Sequence, residues 1–188
     1  MVVTTIAREL TIKPMIGTFP VQLQQSIPYA DDDIIITEFK LYITVGGIPH
    51  LLSLDQGCRC TVSEGIHEVM IGLDSTMNVN TSFADELDPI HGMFWTWNSG
   101  YVNLKIEGYS AHSPQKNKLL QFHMGGYLHP NTTAFSIAIP STGNITLLMD
   151  IGPLLNALNT SHQSVVMSPG AIAKQLSTLL YHHISVRQ

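Results

Sequence analysis

Charge is scarce in this sequence. Asp, Glu, Lys and Arg make up only 12% of its 188 residues, the formal net charge is −5, and the nine Lys and Arg are scattered along the chain. A nucleic-acid-binding face needs clustered cations to neutralise phosphates, so that class of partner is disfavoured. Long hydrophobic runs are also lacking, and no transmembrane segment is expected. Met1-Val2-Val3-Thr4-Thr5 does not place a charged stretch before an apolar one, so no signal peptide is visible. The chain then reads either as cytosolic or as a mature fragment with an added Met. Cysteine is limited to Cys58 and Cys60, which flank Arg59 too closely for an easy unstrained disulfide. Two thiolates without neighbouring ligands are a thin basis for a soft-metal site, which favours two loop thiols of no special role. Nucleophile-elbow, P-loop, dinucleotide and H-E-x-x-H patterns are all missing, so nothing nominates an enzyme.

What is present is strand. Hydrophobic residues reach 44%, enough for a sizeable core. Period-2 alternation rich in β-branched and aromatic residues predicts strands over 34–45, 66–73, 101–107, 119–124, 134–139 and 145–151. Gly46-Gly47, Gly125-Gly126 and Pro140-Ser141-Thr142-Gly143 supply the turns between them. Ser168 as N-cap and Pro169 in the first turn predict a helix near the end, with Ile172, Leu176, Leu179 and Leu180 as its apolar stripe. The expected architecture is one all-β domain over 1–188. It would be an antiparallel β-sandwich, immunoglobulin-like or jelly-roll-like, with one C-terminal helix.

The chemistry-bearing residues crowd between Gly72 and Tyr127. Both tryptophans, Trp95 and Trp97, lie there at i and i+2, so on an extended segment the indoles share a face. Most such pairs are packing aromatics. His123 sits in a predicted strand just before Gly125-Gly126, where a ligand could approach the backbone closely. His50 and His91 offer further imidazoles, and Met93 a thioether. Imidazole with thioether or amine partners suits copper, Cu(I) above all, better than calcium or magnesium. Asp74 and Asp88 could instead hold calcium through oxygen, or simply close Asx-turns.

Four blocks in order, G-L-D-S-T-x-N, L-D-P-x-x-G-M-F-W-x-W-N-S-G-Y, K-x-E-G and H-x-G-G-Y, resemble the MbnP-like family most strongly over residues 71–127. These are periplasmic or surface copper-binding proteins associated with methanobactin operons. In characterised members a di-haem partner enzyme oxidises one tryptophan of the W-x-W motif to kynurenine, whose arylamine helps histidines hold copper. The resemblance implies Trp95, or second to it Trp97, as the modified residue. It also implies His123 and His50 as imidazole ligands, with His91 and Met93 in second rank. Export to the periplasm or cell surface follows from the family alone, with lipid anchoring of a longer precursor as one form of it. The alternative is a surface or lipoprotein structural domain in which the same residues pack a calcium-stiffened loop.

Overall fold

The structure, a computed structural model, describes residues 7–79, 83–161 and 164–188. Residues 1–6, which include the Met1–Thr5 stretch without a visible signal peptide, lie outside the described residues. In chain order the strands are β1 (Ala7–Ile16), β2 (Phe19–Pro20), β3 (Ser26–Tyr29), β4 (Asp32–Val45), β5 (Ile48–Ser53), β6 (Arg59–Ser63) and β7 (Glu68–Ile71). Then come α1 (Ser75–Val79), β8 (Phe94–Thr96), β9 (Gly100–Ser110), β10 (Leu119–Gly125), β11 (Phe135–Ala138) and β12 (Ile145–Asp150). The chain closes with α2 (Gly152–Ser161), β13 (Val165–Val166), α3 (Ala171–Tyr181) and β14 (Ile184–Arg187). They form two sheets, a smaller one ordered β14-β12-β1-β2 with β6 also on β1, and a larger one built around β4 and β9.

The fold is all-β and sandwich-like, as the alternation predicts, but the sheets are mixed. β1 runs parallel to β12, and β10 parallel to β13. The β1–β2 and β12–β14 pairs, like those of β4 with β3, β5, β7 and β9, are antiparallel. Leu10, Ile12 and Ile16 of β1 face Ile34, Ile36, Phe39, Leu41 and Ile43 of β4, and with Leu104, Ile106, Phe122 and Leu147 they make the main core. β4 changes face through an irregularity between Ile36 and Glu38, so Glu38, Lys40 and Tyr42 point away from that core. The end of the sandwich is closed by Arg8, 4% exposed, whose guanidinium donates to the carbonyls of Pro140 and of Ile66, the latter at 2.6 Å.

The predicted terminal helix is present as α3, and its start differs from the expectation. It begins at Ala171 behind Gly170 with no side-chain cap, so Ser168 and Pro169 lie in the approach to it. Its buried face is Ala173, Leu176, Ser177 and Leu180, whereas Ile172 is 41% exposed. α2 is a further helix that the strand-dominated pattern did not reveal.

The described residues between Gly72 and Ser99 leave the sheet after β7 and fold back over the outer face of the large sheet before β9. There it builds a second, smaller core of Tyr42, Leu73, Met93, Tyr101 and Val102, bordered by Leu51, Met77, Phe83, Leu87, Phe94 and Trp95. Two buried tyrosines pin this cover. Tyr42 Oη donates to the Glu86 carbonyl and Tyr101 Oη to the Leu87 carbonyl, each at 2.8 Å. Two asparagines pin its ends. Asn78 Oδ1 accepts from the Tyr101 amide at 2.9 Å, and Asn103 Oδ1 from the Leu73 amide at 3.0 Å. Each bond contributes about 1 kcal/mol net, but leaving its partner buried and unpaired costs more.

Candidate functional site

The outer face of the large sheet carries a charged ladder. Glu38 bonds both Lys40 and Lys105 at 2.7 Å, and Lys105 lies 3.5 Å from Glu107. His123 Nε2 lies 2.7 Å from the same Glu107 oxygen, Oε1. Register explains the grouping: β4 sets Lys40 beside Lys105 and Glu38 beside Glu107, and β10 sets His123 beside Lys105. The two carboxylates and two ammoniums cancel, so His123 joins an assembly that is already neutral. Burial lowers the His123 pKa below its ordinary value, against the opposing pull of Glu107.

Glu38 shows the opposite balance. Burial raises its pKa, but the hydrogen bonds and charges of Lys105 and Lys40 together outweigh burial and hold the carboxyl below its ordinary 4.5. A carboxylate depressed on folding contributes stability that is complete above its unfolded-state pKa and is lost as pH falls through the folded one. The urea midpoint is therefore expected to drop on acidification below 4.5, and Glu38→Gln to flatten that drop. An unchanged acid limb in the variant would show that the ladder adds nothing.

Trp95 lies over the end of the His123 strand, β10. Gly125 stands two residues beyond His123 on the same face of β10, and a side chain there would meet the Trp95 ring, with Cζ3 at 2.8 Å. The glycine that sequence reading reserved for an approaching ligand is instead covered by this indole and by the Tyr101 carbonyl. The Trp95 Nε1–H is buried and meets no acceptor among the described residues. Such a donor is costly to leave unpaired and is uncommon in a well-packed fold. Trp97 differs: it is 63% exposed and packs edge-on against Phe83 and Phe94, with ring centroids 5.0 and 6.4 Å apart.

The remaining candidates separate. His50, on β5, lines a cleft of about 420 Å³ with Ile48, Pro49 and the Ala84–Leu87 turn. His91 Nε2 donates to the Asp85 carbonyl at 2.9 Å, and Lys40 Nζ donates to the His91 carbonyl at 3.2 Å, tying this turn to the ladder. Met93 is fully buried in the second core. Asp74 accepts from Thr76 Oγ1 and the Met77 amide at the start of α1, and Asp88 from the Ile90 amide of the next turn. Both carboxylates thus close their own turns. Cys58 is buried and Cys60 half-buried, both free, and burial pushes their thiols up to about 12 and about 11, so neither is a thiolate at neutral pH. Among the described residues, no three His, Cys, Asp or Glu side chains converge as a ready metal cluster. Sequence reading missed Glu107, Lys105 and Lys40, which look like ordinary solvent-facing charges in an alternating strand. Only the three-strand register brings them together with His123.

These features define a β-sandwich whose W-x-W excursion folds over a sheet face and sets one indole over Gly125, two residues beyond a strand histidine. The MbnP family profile matches residues 61–168, more than half of the chain, and the chain belongs to that family. The match takes in Trp95, Trp97, His91, Met93, His123, Asp74 and Asp88 and leaves out His50. The structure of MbnP from Methylosinus trichosporium is similar, with a TM-score of 0.61 and 12% identity over 82% of this chain and 78% of that one. No curated protein matches the chain. No helix among the described residues is long and apolar enough to cross a membrane.

Proposed function

We propose that this chain is a methanobactin-associated, non-catalytic copper-handling protein of the bacterial envelope, periplasmic or on the cell surface. In this reading Trp95 is oxidised to kynurenine by a di-haem partner enzyme and joins His123 in holding copper, with Cu(I) favoured. The observation that carries the reading is the buried, unpartnered Nε1–H of Trp95 on the sheet face that presents His123. Opening the indole between C2 and C3 leaves a ketone on the chain side and releases C2 as formate. Water supplies the oxygen of both the ketone and the formate, the electrons pass to the haem partner and the protons to solvent, and the former Nε1 becomes a primary arylamine. That step turns a donor without an acceptor into a nitrogen with a lone pair. It also suits a site where, among the described residues, three ordinary ligands do not converge. Copper bound there would be the cargo that the protein carries or buffers.

The residues fit a soft cation in two further respects. The ladder beside His123 carries no surplus positive charge to oppose one, and the His123 side chain is 9% exposed. His50, in the cleft beside the Ala84–Leu87 turn, and His91, at the end of the following turn, stand as secondary ligands.

A peptide mass spectrum over 92–105 of protein from the native host tests the reading. Kynurenine at Trp95 is expected, with Cu(I) affinity reduced by at least about tenfold in His123→Ala. Two intact tryptophans in exported protein, with copper binding unaffected by His123→Ala, would sink it. Trp95 would then be a packing residue over Gly125, in a structural or adhesive surface domain. Calcium bound through Asp74 or Asp88 would in that case raise the melting temperature while copper would not.

A further inference from the structure

The ladder assigns a role to Glu107 that the sequence did not suggest. His123 emerges from β10 with its Nε2 2.7 Å from Glu107 Oε1. A carboxylate can only accept in such a pair, so the proton lies on Nε2 whether the imidazole is neutral or charged. In neutral imidazole the other nitrogen then carries the lone pair. We propose that Glu107 is a positioning residue. It fixes the Nε2–H tautomer and the ring orientation of His123, so that Nδ1 is the nitrogen offered to copper. The inference rests on the copper reading above, and it goes further by naming the donor atom and the residue that selects it.

Glu107 is itself held. Lys105 reaches Glu107 Oε1 at 3.5 Å while bonding Glu38 at 2.7 Å, and Glu38 bonds Lys40. Glu38 and Glu107 face each other across β4 and β9, so without the lysine between them the two carboxylates would repel. Lys105 is only 13% exposed and bridges both. The carboxylate therefore has little freedom to turn away from the imidazole. A carboxylate behind a ligating histidine raises ligand basicity and removes the entropy of ring rotation, and its loss typically costs roughly 10–100-fold in metal affinity.

Two measurements on the full chain separate this inference from the copper reading. The first is a long-range nitrogen–proton NMR spectrum of the metal-free protein labelled with nitrogen-15, with His123 assigned by its loss in His123→Gln. Protonated Nε2 and unprotonated Nδ1 are expected. The second is Cu(I) affinity of host-matured protein, by competition with a chromophoric chelator, for Glu107→Ala, Glu107→Gln and His123→Ala. Glu107→Ala is expected to weaken binding roughly 10–100-fold and to mix the tautomers. Glu107→Gln, which keeps an acceptor oxygen, is expected to retain the tautomer and most of the affinity. A proton on Nδ1 in the parent overturns the assignment whatever the copper result. If His123→Ala weakens binding but Glu107→Ala does not, the copper reading stands and the role of Glu107 falls. If His123→Ala has no effect, the ligand itself is wrong, and the donor-atom assignment falls with it.

Discussion

Gly125→Ala is expected to destabilise the fold by about 3 kcal/mol and to unseat Trp95. A methyl group at this position would press into the Tyr101 carbonyl oxygen, well inside contact distance, and would lie 2.8 Å from Cζ3 and 3.1 Å from Cη2 of Trp95. Neither neighbour can yield easily. The carbonyl belongs to β9, which β10 pairs at this point, and the indole is wedged between the sheet and the second core. Relief would need the strands to part or the whole W-x-W turn to lift. Gly17→Ala is the control. Gly17, unlike Gly125, has a positive φ, +59°, but no atom lies within 4 Å of an added Cβ, so only backbone strain of about 1 kcal/mol applies. Urea midpoints would rank the two, and tryptophan fluorescence would report whether Trp95 has moved. Equal midpoints for the two variants would show that Trp95 is loosely seated, and the buried Nε1–H would lose its meaning as a prepared group.

The strands were legible because alternation survives almost intact in β4, β9, β10 and β12. β1 was not. Pro14 interrupts its apolar series, and a proline inside a run argues against an interior strand. Here it is tolerated because one edge of β1 is shared by two short partners. β6 pairs with Ala7–Thr11 and β2 with Met15–Ile16, which leaves Pro14 at the gap, where no amide is needed for the ladder. The parallel pairing of β1 with β12 joins residues more than a hundred positions apart and has no local signature. The W-x-W block announced itself through composition and spacing, but the separate fates of its two indoles did not. That difference arises from a turn that faces Trp95 inward onto Gly125 and leaves Trp97 at the surface. His123 could be singled out as a strand histidine next to glycines. Its carboxylate partner could not, because Glu107 lies on another strand and reads as one more outward charge. Asp74 and Asp88 were open between metal ligation and turn closure, and both close their own turns.

Asn103→Leu is expected to cost about 3 kcal/mol, although leucine has the same branched skeleton and the site is only 3% exposed. Asn103 is the extra residue of the β9 bulge opposite the Met124–Gly125 step, so its amide turns toward the neck of the excursion and not along the ordinary alternation. Its Oδ1 accepts from the Leu73 amide at 3.0 Å, and its Nδ2 donates to Thr133 Oγ1 at 2.9 Å. Thr133 in turn binds the Gly126 carbonyl through its amide at 3.0 Å. One side chain thus joins the start of the W-x-W excursion to the loop that follows the His123 strand. Gly72 leaves room for it, since a Cβ there would lie 2.7 Å from Asn103 Cγ. Leucine keeps the branched shape but leaves the Leu73 amide buried without an acceptor, at a cost of about 1–3 kcal/mol, and strips Thr133 of its donor. Thr133→Val spares the first of these bonds and removes the second, together with the 3.4 Å bond from Thr133 Oγ1 to the Gly126 carbonyl. A double-mutant cycle between Asn103→Leu and Thr133→Val should therefore show coupling of about 1 kcal/mol, with most of the loss remaining in Asn103→Leu alone. Amide hydrogen exchange at Leu73 should accelerate in Asn103→Leu and stay slow in Thr133→Val. If Asn103→Leu folds as stably as the parent, the excursion is held by its apolar contacts alone, and the tyrosine hydroxyls and asparagine amides over the second core are incidental to where Trp95 sits.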